Sequence, residues 1–419
     1  MPGGRPRRLL LGAFGDPGHA FPMLALGAAL AARGHDVTLQ TWARWEAPAV
    51  AAGLRFAAAP EYQVFPAPGR PLQPYAAAVR AARETRPLVA ALRPDAVVAD
   101  ILTLAPALAG ELEGVPVATL IPHVDPRPLH GAPPYALGAR LPRTAAGRAA
   151  WSALEGPVLR GVRQGRDEYN GARARLGLPP VDRLFGAISD RLCLVATFPQ
   201  LEYPRPPQPG THVVGPLLWE PPFGDVDLPG GDGPLVLVAP STVQDPSHRL
   251  LRAAVAGLAG QPVRVLATTN RRPLPRPLAV PGNARLVDWV SYARTMPRCD
   301  LVICHGGHGT LARALASGCP VVAAPAGGDM PENAARADWA GVGVRLPGRL
   351  VAPATVRLAV QRALGDPRRR ARAQSLAAWL RAADPADRAA ALVEALAGAP
   401  GGGAVSSGST RPCRGPGTG

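Results

Sequence analysis

One grammar runs twice along this 419-residue chain: a short apolar strand, a turn holding Gly or Ser, an amphipathic helix, and a strand again. In the first half the apolar runs fall at 7–14, 36–42, 96–100, 115–121 and 191–198, with helices expected at 22–33 and near 102–113. Within 22–33, Met23, Leu26 and Leu30 recur at helical spacing and Gly34 stops the helix. The second half repeats the pattern at 235–241, 263–269, 284–290, 300–306, 320–326 and 343–346, then closes with helices around 353–364, 367–381 and 385–397. Strands that are apolar almost throughout are what a parallel sheet covered on both faces requires. Between the halves, 199–234 is dominated by Pro and Gly apart from a short strand at 211–215, and reads as a linker. The expectation is an α/β chain of two tandem doubly wound, Rossmann-like domains facing across a cleft: residues 1–210, residues 211–399, and a disordered tail at 400–419. Ligands of such sheets bind at strand carboxyl ends.

Composition narrows the partners. The net charge of +16 comes from 46 basic and 30 acidic residues, and every basic residue is arginine. Such a balance raises nucleic acid. Yet the arginines are scattered, and aromatics at 5% are too few for a base-stacking platform, so no nucleic-acid partner is expected. The cysteines Cys193, Cys299, Cys304, Cys319 and Cys413 form no C-x-x-C pair, which suits a reduced, cytoplasmic protein. The start imitates a signal peptide, but the 15–19 segment interrupts its apolar run. No run reaches the ~18 apolar residues of a membrane span, so no stable membrane insertion is expected. Oligomeric state is left open.

The chemistry-bearing residues gather at the expected strand ends. After the run at 300–306 come His305, Gly306, Gly307, His308, Gly309 and Thr310, then a helix. Glycines let the backbone approach a ligand, and a helix start offers free N–H groups to an anion. The competing reading is a tight turn with surface histidines, and His308 is read as a cap or surface residue. Asp329 is either a helix cap or an acceptor for a polyhydroxylated ligand, with Asn333 a helix-start residue. Trp289 is either core or a platform for a nucleobase. Ser241 and Thr242 follow the first strand of the second half. In the first half, His19 lies in the loop after the first strand, as a general base or as a surface residue. Asp100, ending the run at 96–100, either orients that imidazole or is an ordinary loop aspartate.

In this order the motifs resemble the two-domain, GT-B-fold nucleotide-sugar glycosyltransferases. The closest resemblance is to the bacterial group that decorates macrolides and other natural products. It covers roughly residues 7–397. It is carried by Gly15, Gly18, His19, Pro22, Leu24, Arg33, Gly34, His35, Val37 and Thr38, and by the segment from Asp288 to Ala334. The resemblance implies a hexosyltransferase: inverting, metal-independent transfer from a UDP- or dTDP-sugar to a hydroxyl of a small, mostly apolar acceptor. The nucleotide sugar is a co-substrate and no cofactor is implied. The first domain would take the acceptor, in a pocket shaped by 60–75 and the proline-rich 122–143, and the second domain the donor. By the same resemblance His19 is the general base and Asp100 its partner. Trp289 and Val290 hold the base, His305, Gly307, Gly309 and Thr310 hold the diphosphate, and Ser241 and Thr242 count among the nucleotide-sugar-binding residues. Asp329 and Met330 face the sugar. The family often carries glutamine after that acid, so Met330 is a departure that bears on donor choice. Two alternatives share the fold: a nucleotide-sugar epimerase or hydrolase, and a non-catalytic nucleotide-sugar-binding module. A nicotinamide-dependent oxidoreductase fits poorly, because the first turn lacks G-x-G-x-x-G spacing.

Overall fold

The computed structural model describes residues 5–59, 74–241 and 244–399. The expected tail at 400–419, most of the 60–75 segment, Thr242 and Cys413 lie outside the described residues.

The first unit runs β1 (Arg8–Gly12), α1 (Pro17–Ala32), β2 (Asp36–Thr41), α2 (Glu46–Ala51), β3 (Arg55–Ala58), α3 (Pro74–Leu92) and β4 (Ala96–Asp100). It continues through α4 (Leu104–Leu112), β5 (Val117–Ile121), α5 (Ala145–Ser152), α6 (Glu155–Arg175), β6 (Cys193–Val195) and β7 (Thr211–Val213). The second unit runs β8 (Leu235–Ala239), α7 (Arg249–Gly257), β9 (Arg264–Thr268), β10 (Ala284–Val287), α8 (Tyr292–Thr295), β11 (Leu301–Cys304) and α9 (His308–Ala316). Then come β12 (Val321–Ala323), α10 (Met330–Trp339), β13 (Gly343–Arg345), α11 (Pro353–Leu364), α12 (Pro367–Ala383) and α13 (Pro385–Gly398).

Among the described residues the strands form two sheets, ordered β3-β2-β1-β4-β5-β6-β7 and β10-β9-β8-β11-β12-β13. Every described pairing is parallel. β1, β4 and β5 are buried along almost their whole length because helices cover both faces. Each sheet reverses its winding at one place, between β1 and β4 and between β8 and β11, and there the strand carboxyl ends open a crevice.

Three sequence expectations move. The strand at 211–213, read as part of a linker, pairs with β6 as the edge of the first sheet, so that sheet extends past residue 210. The last helix does not close the second domain. Ala389, Ala390, Val393, Leu396 and Ala397 of α13 are buried with Leu24, Leu30 and Leu39 in the core of the first unit. The first helix begins at Pro17 rather than at 22. Asp16 precedes it in an extended conformation and proline occupies its first position, where a missing N–H costs nothing.

The two units share an apolar seam: Val124, Phe198 and Leu201 of the first are buried with Leu311 and Leu315 of the second. Phe198 lies 5.9 Å from the Trp379 ring. Cys193, Cys299, Cys304 and Cys319 are buried free thiols. Among the described residues no helix is long and apolar enough to cross a membrane.

Candidate active site

The early start of α1 places His19 in the first turn of that helix rather than in a loop. Asp100 is the last residue of β4, the strand paired directly with β1, with Gly12 opposite Ala99. This topology brings together residues far apart in sequence: His19 Nδ1 and Asp100 Oδ2 are 2.8 Å apart. The Asp100 side chain is fully buried, that of His19 is 16% exposed, and Asp100 Oδ1 also accepts from the Leu102 amide at 2.8 Å. The carboxylate is thus held from two sides. With Nδ1 donating to it, His19 Nε2 keeps a lone pair. Burial opposes charge on His19, but the Asp100 carboxylate, with Asp329 and Asp16 beyond it, outweighs burial and raises the pKa above its ordinary value. Phe14 packs its ring against His19 at 5.9 Å and against Trp42 at 5.0 Å, giving this side of the crevice an aromatic wall.

Across the crevice, β11 ends in a turn that only glycine allows. Gly306 has φ of +82°, and a Cβ on Gly307 would lie 2.4 Å from His305 Nε2. His305 Nδ1 lies 3.5 Å from the Ala239 carbonyl at the end of the adjacent β8, and burial lowers its pKa, so the ring is neutral. α9 follows at once with Gly307 before it and no side-chain cap, leaving its first turn open to an acceptor or an anion. Gly309 is exposed in that turn and Thr310 half-buried beside it. Ser241, just after β8, is buried and accepts from the Gln244 amide at 2.8 Å.

Asp329 precedes α10 without a side-chain capping bond to that helix. Its carboxylate is within electrostatic reach of His19, His123, His305 and His308. Asn333 is more than a helix-start residue: its Nδ2 donates to Asp329 Oδ2 at 2.9 Å and to the Gly306 carbonyl at 3.0 Å, tying the glycine turn to the acid. Met330 is buried at 8% exposure, and a Cβ on Gly306 would meet its carbonyl oxygen at 3.0 Å. Trp289, half-buried, lies beyond the end of β10 with the Arg271 guanidinium 4.8 Å from its ring centroid, while Val290 is buried in the shared core.

Against known proteins, residues 253–395 match the model of the erythromycin biosynthesis protein CIII-like, C-terminal domain. Over 93% of this chain and 99% of the relative, the sequence is 29% identical to 4'-demethylrebeccamycin synthase of Lentzea aerocolonigenes. Along nearly its whole length the chain is thus similar to glycosyltransferases of natural-product biosynthesis. The fold agrees: the glycosyltransferase of kitacinnamycin superposes with a TM-score of 0.73 at 23% identity, over 94% of this chain and 100% of that one. Spinosyn rhamnosyltransferase SpnG, solved with thymidine diphosphate, gives 0.63 at 23% identity over 93% and 99%.

The chain also places residues in the cleft that the motifs did not single out. His123, just after β5, has its ring 6.3 Å from that of His19 and 6.2 Å from Tyr135, and its Nδ1 donates to the Val124 carbonyl at 2.8 Å. Burial lowers the His123 pKa. The available signal was its position immediately past a buried strand. Gln244 lays its carboxamide on Gly327, where a Cβ would be 2.5 Å from Oε1. His308 overturns its reading as a cap or surface residue: it is buried and bonds Thr197 of the other unit.

Proposed function

We propose that this glycosyltransferase is inverting and moves a sugar from a UDP- or dTDP-sugar to a hydroxyl of a small, mostly apolar acceptor, with His19 as general base. The contact between His19 and Asp100 carries the reading, because it leaves Nε2 unprotonated and aimed away from its buried partner. The acceptor O–H gives its proton to Nε2, and its oxygen attacks the anomeric carbon. The bond from that carbon to the phosphate oxygen breaks on the opposite face, its electron pair leaving with the nucleoside diphosphate. Asp100 holds the tautomer and meets the imidazolium charge. The open turn of α9, with Gly307 and Gly309, and neutral His305 meet the charge on the departing diphosphate, so the reading calls for no metal ion.

Ser241, Thr242 and Thr310 complete the phosphate side in this reading, Trp289 and Val290 hold the base, and Asp329 accepts from a sugar hydroxyl beside Met330. The thymidine diphosphate bound by spinosyn rhamnosyltransferase SpnG supports a thymidine or uridine nucleotide here. Phe14, Trp42 and Tyr135 support an apolar acceptor. The test incubates the protein with labelled UDP- and dTDP-sugars and a panel of hydroxylated acceptors. Acceptor-dependent nucleoside diphosphate release that disappears in His19→Ala is the expected result. Release that survives His19→Ala rejects His19 as base, and release without acceptor rejects transfer.

A further inference from the structure

His308 opens α9, the helix whose free turn faces the cleft, yet its own ring is spent on the other unit. Its Nε2 lies 2.9 Å from the Thr197 hydroxyl, and the Pro122 carbonyl also takes a bond from the ring. Pro122 directly follows β5 and Thr197 lies just past β6, and these two strands are neighbours in the first sheet. One side chain therefore joins the carboxyl ends of two strands of the first unit to the first residue of the phosphate-facing helix of the second. Both groups are buried, His308 at 8% exposure and Thr197 at 0%. A neutral imidazole has one donor and one acceptor, and a hydroxyl can meet either, so the Thr197 bond forms in either tautomer.

The surrounding seam of Val124, Phe198 and Leu201 against Leu311 and Leu315 is apolar. Apolar burial holds surfaces together without direction, whereas hydrogen bonds weaken steeply when bent. Arg336 of α10 adds a second polar tie to the same segment, donating to the Leu201 carbonyl at 3.1 Å and to Glu202 at 2.9 Å. Of the two ties, only His308 lies on α9 itself.

We propose that His308 is a positioning residue, whose bonds to Thr197 and Pro122 set where the open turn of α9, and a nucleoside diphosphate held there, lies relative to His19. This rests on the reading in which His19 takes the acceptor proton while α9 receives the diphosphate. Misplacement of reacting groups by about 1 Å costs up to about a hundredfold in rate. A loosened tie is therefore read in turnover rather than in nucleotide affinity.

The test compares His308→Ala, His308→Gln, Thr197→Val, Thr197→Ser and the double variant His308→Ala/Thr197→Val. It measures kcat, donor KM and dTDP affinity by calorimetry. Expected are kcat losses of about tenfold or more in His308→Ala and Thr197→Val, unchanged dTDP affinity, and a double variant no worse than the poorer single. His308→Gln and Thr197→Ser, which keep a donor and an acceptor, recover most of the rate. Unchanged kcat in both single variants, independent losses that multiply, or a loss in dTDP affinity would each overturn the proposal. Should His308→Ala fail to fold, the Thr197 pair decides on the same criteria. Energy transfer between labels on the two units gives a readout free of catalysis: the distance distribution broadens in Thr197→Val, and an unchanged distribution counts against the proposal. An unvaried protein that transfers no sugar defeats the functional reading instead and leaves that measurement standing.

Discussion

Asp100 Oδ2 stands 2.8 Å from His19 Nδ1 although 81 residues separate the two, because β1 and β4 pair side by side where the first sheet reverses its winding. A buried carboxylate at that distance fixes the imidazole tautomer and stabilises its charged form. Both effects are measurable.

The first measurement is the pH–rate profile. Burial disfavours charge on His19, yet Asp100 outweighs it and the pKa rises above 6.5. With His19 as the proposed base, which must be unprotonated to act, kcat/KM falls as pH drops through that raised value, placing the acid limb above 6.5. Asp100→Asn removes the charge that raises it. The limb then moves to lower pH while the plateau falls by about 10²–10⁴-fold. An acid limb that stays in place in Asp100→Asn shows that His19 is not the titrating group.

Gly307→Ala tests the cradle sterically. The new Cβ would stand 2.4 Å from His305 Nε2, so the imidazole must leave its place beside the Ala239 carbonyl or the turn must open. In the proposed reading the displaced turn faces the diphosphate, so calorimetry with dTDP and UDP should show affinity reduced by about tenfold or more. Thermal stability should change little by comparison, and an unaltered dissociation constant would remove Gly307 from the site.

A third expectation concerns the clasp between the first and last helices. Arg33 donates to both Glu394 oxygens at 2.8 and 2.6 Å, and His35 meets the same carboxylate at 2.6 Å. The Arg33 bonds, helped by His35 and opposed by burial, hold the Glu394 pKa down at about 2 against an ordinary 4.5. A depressed carboxylate stabilises the fold above its unfolded pKa and loses that contribution as pH falls, here from 4.5 towards 2. Arg33→Met should cost about 1–2 kcal/mol at pH 7 for these partly exposed groups. Denaturant titrations should show the deficit shrinking across that acid window; a constant deficit would assign it to packing alone.

What the residues alone disclose follows a physical division. The β1, β4 and β8 runs are legible because both faces of each strand are buried, and the glycine turn at 306–307 is legible because its backbone tolerates no side chain. The adjacency of His19 and Asp100 needs the strand order, which no local pattern encodes. His308 was misread because its partner, Thr197, is 111 residues away and its exposure is decided by the meeting of two units. The same holds for α13, whose apolar stripe announces burial but not against which sheet. β7 lacks a long apolar run because it is a three-residue edge strand that only half buries its side chains.

The last prediction concerns Met330, where the chain departs from the glutamine often found beside this acid in the glycosyltransferases it resembles. Met330 is the first residue of α10, next to Asp329, and its backbone lies beside Gly306. A thioether is a weak acceptor and donates nothing, whereas a carboxamide offers both donors and an acceptor to a sugar hydroxyl. A site without that amide forfeits little with a deoxysugar, which lacks a hydroxyl to be stranded, and more with a fully hydroxylated hexose. Met330→Gln should therefore raise the ratio of kcat/KM for a hexosyl donor over a deoxyhexosyl donor by about tenfold or more. Gln is close to Met in length and unbranched, so the buried site can take it without a large cavity. Parallel kcat/KM measurements with the two donor types, at one fixed acceptor concentration, decide the matter: an unchanged ratio would mean that residue 330 does not face the sugar.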